Sequence, residues 1–100
     1  GVTTIAQRAF SELENLKSVD IPDSVQFIMQ NAFEDSGLSS VVLPANIKVI
    51  DEYAFFFCQK LSSVGYKGEI YTSISKLEKA LKENGVIIGY HSFASTALAL

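Results

Sequence analysis

The residues with the greatest chemical potential in this sequence are Cys58 and His91, each the single residue of its type. A thiol activated by an imidazole base is the pair that a nucleophilic enzyme uses. Two pairs of neighbouring carboxylates, Glu34–Asp35 and Asp51–Glu52, raise the separate question of acid/base catalysis, but neighbours on a turning segment point apart. One cysteine and one histidine are too few for a structural zinc site, and no cofactor motif is present. We predict no catalytic residues, no metal and no cofactor, with a cysteine-dependent enzyme as a remote alternative.

A repeated phrase shows where these residues must lie. Ile5, Ile28 and Ile50 each stand four residues before an Ala-Phe pair, at steps of 23 and 22 residues, and the phrase returns faintly as "IGYHSFASTAL". Periods of this length are typical of stacked repeats, in which each unit buries its apolar face against its neighbours. The sequence therefore predicts a solenoid.

The one-residue difference between the two steps falls between each phenylalanine and the next leucine. Phe33 and Leu38 are five residues apart, whereas the equivalent pair is six residues apart in the units before and after. We expect a loop to absorb the difference, because the repeat is in phase again beyond the leucine.

Each unit is predicted to carry one short strand. The pattern Leu-x-x-Val-x-Ile-Pro alternates in period 2 and ends at proline, which has no N–H for a ladder. The segments "KSVDI", "SSVVL" and "SSVGY" should therefore stack as parallel strands about 4.8 Å apart. The outer face of this sheet is expected to carry small, mostly neutral residues: Ser18, Asp20, Ser40, Val42, Ser63 and Gly65.

The repeat also assigns places to the core and to the reactive residues. Cys58 stands at a position that Leu13 fills in the first unit, which predicts a buried, apolar thiol. His91 stands at a position that varies between units and is expected to be solvated. The phenylalanines of the four units are predicted to stack into one buried spine, formed by Phe10, Phe33, Phe55 and Phe93.

An insertion interrupts the repeat after Tyr66. The stretch "YTSISKLEKALKENG" places Ile74, Leu77 and Leu81 on one helical face, with Ser75 and Glu78 spaced as a capping box and Gly85 as the C-terminal cap. We predict an inserted amphipathic helix near residues 74–84. One domain, 1–100, would then contain repeats at about 1–25, 26–47 and 48–70, an insertion at 71–85 and a partial repeat at 86–100.

Two aromatic residues do not belong to the repeat. Phe56 and Phe57 follow the core residue Phe55 and replace polar residues of the other units. Contiguous exposed aromatic residues mark contact sites. The sequence favours cover by the inserted helix, but Phe56 and Phe57 stay candidate protein-binding residues together with Ser18, Asp20, Ser40, Val42 and Ser63.

The units resemble a known family, the BspA-like leucine-rich repeats, whose unit reads approximately Leu-x-x-Leu-x-Leu-Pro-x-x-Leu-x-x-Ile-x-x-x-Ala-Phe-x-x-Cys-x-x-Leu. "LSSVVLPANIKVIDEYAFFFCQKL" matches it throughout, "LKSVDIPDSVQFIMQNAFEDSGL" nearly so, and Cys58 falls on its cysteine. The resemblance implies a leucine-rich-repeat solenoid of the α/β class, rich in short parallel strands. It also implies a binding scaffold of bacterial or protist surface and secreted proteins, several of them adhesins, and hence an extracellular or cell-surface location.

The charge and hydropathy of the sequence exclude two classes of partner, nucleic acids and the membrane interior. The net charge of −3 includes no basic stripe, which predicts no nucleic-acid binding, and "VIIG" is too short for membrane insertion. No charged-then-apolar leader opens the sequence. We predict a non-enzymatic, adhesin-like interaction module that binds a protein or host/matrix ligand. A passive spacer or stalk is the alternative, and open strand edges predict end-to-end self-association.

Overall fold

The computed structural model describes all 100 residues, which form seven short strands and one helix. The elements in chain order are β1 (Thr4–Ile5), β2 (Phe27–Ile28), β3 (Ser40–Val42), β4 (Val49–Ile50), β5 (Ser63–Tyr66), β6 (Glu69–Tyr71), α1 (Ile74–Glu83) and β7 (Ile87–Ile88). We refer to the repeats at about 1–25, 26–47 and 48–70, and the last one at 86–100, as turns 1 to 4.

The first sheet joins all four turns. Its strand order is β1-β2-β4-β7, and every pair is parallel. The register places the repeated isoleucines side by side, in the order Ile5, Ile28, Ile50 and Ile88. One step across this sheet is therefore one repeat along the chain. The alternating pattern did not reveal these strands, because two residues are too few to show a period.

The second sheet contains the predicted strands only in part. β3 and β5, from "SSVVL" and "SSVGY", pair in parallel with Ser40 opposite Ser63, as expected. The prediction of a strand in "KSVDI" was wrong, because residues 17–21 form none. This segment lies at the open end of the sheet. Its backbone contact with the next turn is one hydrogen bond, from the Ser39 amide to the Lys17 carbonyl at 3.2 Å, and one bond is too few to form a strand ladder.

A hairpin replaces the next parallel step. β6 pairs antiparallel with β5 across Lys67 and Gly68, whose φ values of 49° and 83° are both positive. Two positive φ values are typical of the type I′ turn that suits the twist of a two-residue hairpin. Proline cannot adopt a positive φ, so the hairpin explains why Lys67 stands where the earlier turns have Pro22 and Pro44.

The inserted helix was predicted correctly, but its N-terminal cap was not. The hydroxyl of Ser73, rather than Ser75, accepts from the Lys76 amide, so the helix begins two residues earlier than a cap at Ser75 allows. Gly85 ends the helix with φ 78°, and the amides of Gly85 and Val86 donate to Lys82 and Leu81. This is a Schellman cap. Leu77 and Leu81 are fully buried.

The predicted stack of phenylalanines is confirmed, except that Phe10, at its open end, is only half-buried. The ring centroids of Phe10, Phe33, Phe55 and Phe93 follow one another at 5.1, 5.0 and 5.3 Å, with interplanar angles of 7° or less. Ala32 and Ala54, which precede two of these rings, are fully buried. A small residue suits these positions, because a larger side chain would separate the turns. The turns and the helix thus enclose one core in a small α/β domain with a parallel and a mixed sheet.

Candidate interaction surfaces

The outer edge of every turn depends on two residues with left-handed backbone, which flank the Ala-Phe pair of turns 1 to 3 and the Ser92-Phe93 pair of turn 4. Their φ values lie between 52° and 64°. This conformation costs a residue other than glycine roughly 1–2 kcal/mol, and least for Asn and Asp. In chain order the pairs are Arg8 and Glu12, Asn31 and Asp35, Tyr53 and Phe57, and His91 and Ser95.

Backbone hydrogen bonds align these edges from turn to turn. Three alternate amides of one turn donate to carbonyls of the next. Between turns 2 and 3 they are Asn31 to Glu52 at 3.1 Å, Phe33 to Ala54 at 2.7 Å and Asp35 to Phe56 at 2.9 Å. The same three bonds join turns 1 and 2 and turns 3 and 4. Equivalent residues therefore form straight columns along the outer edge of the stack.

The columns become aromatic in turns 3 and 4. We define the aromatic patch as Tyr53, Phe56, Phe57, Tyr90 and His91. The Tyr53 ring meets Phe56 and Tyr90 edge-on at 5.1 and 5.8 Å, Phe56 stacks on Phe57 at 5.4 Å, and Tyr90 stacks on His91 at 3.8 Å. Tyr90 is 60% exposed and Phe57 is 44% exposed. The patch is therefore a cluster of contacting rings in which Phe57, Tyr90 and His91 are exposed and Tyr53 and Phe56 are half-buried.

The expectation that the inserted helix covers Phe56 and Phe57 was wrong. α1 packs on β6 and β7, with Leu77 and Leu81 directed into the core. The rings beside Phe56 belong instead to Tyr53, Phe57 and His91. The helix lies across a recess from Tyr90 and His91, which Ile74, Glu78 and Lys82 also line, but Phe56 and Phe57 do not line that recess.

The predicted sheet face is smaller than expected. Ser40 and Val42 are exposed on β3, whereas Ser63 is half-buried and Gly65 is buried. A Cβ on Gly65 would lie 3.2 Å from Val42 and 3.7 Å from Ile70, so these two side chains, from the strands on either side, cover Gly65. Ser18 and Asp20 are exposed but belong to no strand. What remains is an apolar ridge of Val42 and Ile70, with exposed fractions of 66% and 69%.

Cys58 and His91 do not form a catalytic pair. The Cys58 thiol is buried, donates to the Phe33 carbonyl at 3.0 Å and contacts the Ser36 hydroxyl at 3.4 Å. Burial raises the pKa of this thiol, so it stays protonated at neutral pH. His91 is exposed and stacks on Tyr90. The prediction that Cys58 is a buried thiol is confirmed.

Among the neighbouring carboxylates, Glu34 and Asp51 form hydrogen bonds or ion pairs with other groups of the turns. Glu34 accepts from the Asn31 side chain at 2.6 Å and lies 3.7 Å from Arg8 of turn 1. Asp51 accepts from the Glu52 amide at 2.7 Å, which supports the turn that follows β4. No group of three or more His, Cys, Asp or Glu side chains is close enough to hold a metal ion.

The family of the chain follows from the same repeated positions. A model described as "BspA type leucine rich repeat region (6 copies)" matches residues 1–77, which is more than three quarters of the chain. The chain belongs to the BspA-type leucine-rich repeat family. Neither a curated protein nor a solved structure gives a significant match.

The BspA-type motif describes the inside of this protein. Its isoleucine, alanine, phenylalanine and cysteine are the buried Ile50, Ala54, Phe55 and Cys58 of turn 3. The match therefore identifies the core and leaves the aromatic patch outside the motif. α1, the one helix, is neither long nor apolar enough to cross a membrane.

The sequence indicated Phe56 and Phe57 as candidates but missed the rest of the aromatic patch. Tyr53 and Tyr90 stand at outer positions where the other turns have Asn31 or Arg8, and Gln7 or Gln30. The signal that identifies them is a change to aromatic residues at columns that are otherwise polar. Only the ladder of the structure shows that these columns are adjacent.

Proposed function

We propose that this chain is a non-enzymatic, adhesin-like protein-interaction module of a bacterial cell-surface or secreted leucine-rich repeat protein, and that it binds through the aromatic patch. Membership of the BspA-type family supports the class and the location. The turns would be part of a longer solenoid, as their three backbone ladders and their in-register isoleucines suggest.

The observation that carries this proposal is the exposure of rings that the fold does not need. Tyr53, Phe57 and His91 occupy left-handed positions where Asn and Asp, as in turn 2, fit the backbone better. Burial does not account for Phe57 and Tyr90 either, since their side chains remain 44% and 60% exposed. Tyrosine and other aromatic residues are enriched at the centres of protein interfaces.

The sheet face is the weaker of the two candidate surfaces. Of its predicted residues, Ser63 is half-buried and Val42 is the single large apolar side chain. Small side chains offer little area to a partner, whereas aromatic rings lose little conformational entropy when they bind. The proposal therefore places Ser18, Asp20 and Ser40 outside the main contact.

The experiment measures binding of the chain to a panel of purified extracellular-matrix proteins by biolayer interferometry. A triple variant, Tyr53→Asn, Phe57→Asp and Tyr90→Gln, introduces the residues that turn 2 carries in the same columns. Because removal of interface aromatics typically costs 2 kcal/mol or more, we expect affinity to fall by roughly 30-fold or more.

A matched variant on the other surface, Asp20→Lys with Ser40→Lys, controls for changes in surface polarity. It should bind as the unmodified chain does, and circular dichroism should show both variants folded. A loss in the control without a loss in the triple variant would move the contact to the sheet face. A chain that binds no member of the panel would favour the spacer or stalk alternative.

A further inference from the structure

A second surface feature arises where the repeat is one residue short. The loop of turn 2 lacks the residue that separates phenylalanine from leucine in turns 1 and 3. Its Gly37 amide donates to the Leu13 carbonyl at 3.0 Å, and a Cβ on Gly37 would collide with the Glu14 carbonyl oxygen. The short loop is thus drawn against turn 1.

The short loop lines a recess of about 230 Å³. Ser36 and Gly37 are its buried residues, while Glu14 comes from turn 1 and Phe57 and Lys60 from turn 3. Asp35 lines it beside Phe57, because the Asp35 amide donates to the Phe56 carbonyl. The volume is below the range of roughly 300–1,000 Å³ that small-molecule sites occupy, and it suits one long side chain.

The chemistry of the recess selects a cation. The carboxylates of Glu14 and Asp35 have no ion-pair or side-chain hydrogen-bond partner in the structure, since the one salt bridge joins Arg8 to Glu34. Phe57 presents a half-exposed ring at the same place. A carboxylate beside an aromatic face is the environment that a guanidinium group prefers, because it can accept hydrogen bonds and stack together.

We propose that this recess binds an arginine side chain of the protein partner. The assignment deepens the proposed function and rests on it, since Phe57 belongs to both the recess and the aromatic patch. The partner would lay its apolar contact on the patch and insert the arginine between turns 2 and 3. The net charge of −3 supports the approach of a basic segment.

The test uses the tripeptide acetyl-Gly-Arg-Gly-amide as its probe, followed by 1H–15N correlation spectra of the full chain up to about 50 mM probe. The expected result is saturable shifts confined to the amides of residues 14, 35–37 and 57–60. The same peptide with citrulline, which is neutral and similar in shape, should give no saturable shift. Raising the salt from about 0.05 to 0.5 M should weaken binding, because exposed charges are screened.

Substitutions assign the parts of the recess. Glu14→Gln with Asp35→Asn should weaken the probe about fivefold, and Phe57→Leu, which keeps an apolar side chain, about threefold. Lys60→Gln should strengthen binding about twofold, because it removes the one competing cation. A gain of affinity is a readout that general damage to the fold does not produce.

Matched carboxylates far from the recess serve as controls. Asp23→Asn and Glu69→Gln remove the same charges from exposed positions in turn 1 and β6, and they should leave the probe affinity unchanged. Equal shifts with the citrulline peptide, shifts outside the recess or no shifts at the highest concentration would each overturn the assignment. Arginine binding without any matrix partner would retain the recess and reject the proposed function.

Discussion

Turns 2 and 3 have the same backbone and different surfaces. Both place two residues in the left-handed region on either side of a buried Ala-Phe pair, at φ values within 7° of each other at each position. Turn 2 fills these positions with Asn31 and Asp35, which suit the conformation, and turn 3 fills them with Tyr53 and Phe57. Since the core and the ladder are shared, the difference lies in the side chains at these positions: Asn31 is 7% exposed and donates to Glu34 of its own turn, whereas Phe57 is 44% exposed.

This comparison separates what holds the repeat together from what varies on it. The residues that recur, such as Phe33 and Phe55, are fully buried and stack on their equivalents. The residues that differ at the left-handed position after the pair, Asp35 and Phe57, are at least partly exposed. A repeat of this kind can therefore change its outer side chains without changing its fold, as long as the left-handed positions tolerate the new residue.

The largest expected effect comes from removing the shared core. Phe33→Ala deletes the ring between Phe10 and Phe55, and buried Phe→Ala changes cost about 3–5 kcal/mol. The equivalent truncation on the outer edge, Phe57→Ala, should cost about 1 kcal/mol, because that side chain is 44% exposed. Urea denaturation measures both free energies of unfolding. Equal losses would show that the outer rings belong to the core after all.

The next effect tests the short loop that makes turn 2 differ from turn 3. Gly37→Ala forces a Cβ against the Glu14 carbonyl, and the neighbouring Leu16 carbonyl lies at 3.1 Å. We expect a loss of about 1–3 kcal/mol, since backbone atoms cannot move aside as a flexible side chain does. Lys60→Ala, in the longer loop of turn 3, should stay within about 0.5 kcal/mol in the same urea titration. A tolerated alanine at position 37 would contradict the close approach of the two loops.

Several parts of this architecture could be predicted from the sequence, for physical reasons. The spine could be predicted because an Ala-Phe pair recurs in phase and a buried ring has few acceptable substitutes. α1 could be predicted because Ile74, Leu77 and Leu81 repeat at the helical period. β1, β2, β4 and β7 could not, since two-residue strands are defined by their partners rather than by their own pattern.

The surfaces were harder to predict than the core. Phe56 and Phe57 could be noticed along the chain, but their contact with Tyr53 and His91 depends on how the turns stack. The one-residue gap before Leu38 was visible as well, yet its consequence depends on how closely Gly37 approaches turn 1. Contacts between turns connect residues about 22 positions apart, and a local pattern carries no information about them.

The next prediction concerns the position of the buried alanine, which turn 4 fills with a serine. Ser92 replaces the alanine of turns 2 and 3, is 1% exposed, and its hydroxyl has no hydrogen-bond partner. A buried, unpaired hydroxyl destabilises a fold, so Ser92→Ala should raise the free energy of unfolding by about 1 kcal/mol. The reverse change in turn 3, Ala54→Ser, should lower it by about 1–3 kcal/mol. Thermal unfolding followed by circular dichroism measures both changes, and a destabilising Ser92→Ala would indicate a role for the hydroxyl.

The smallest expected effect tests the outward side chains themselves. Glu12 occupies the left-handed position of turn 1 that Asp35 occupies in turn 2, and its side chain is exposed. Glu12→Asn should therefore stabilise the chain by about 0.5–1 kcal/mol, because it relieves the backbone and removes no packing. Phe57→Asn relieves the same strain but loses the contact with Phe56, so the two terms should cancel to within about 1 kcal/mol.

The pair of variants is informative because only one of them should affect binding. Glu12→Asn should bind the matrix partner of the unmodified chain equally well, whereas Phe57→Asn should lose binding while its free energy of unfolding hardly changes. That outcome would show that the Phe57 ring contributes to binding but not to the free energy of unfolding. If Phe57→Asn destabilised the chain as strongly as Phe33→Ala, the ring would be structural, and the difference between turns 2 and 3 would no longer point to function.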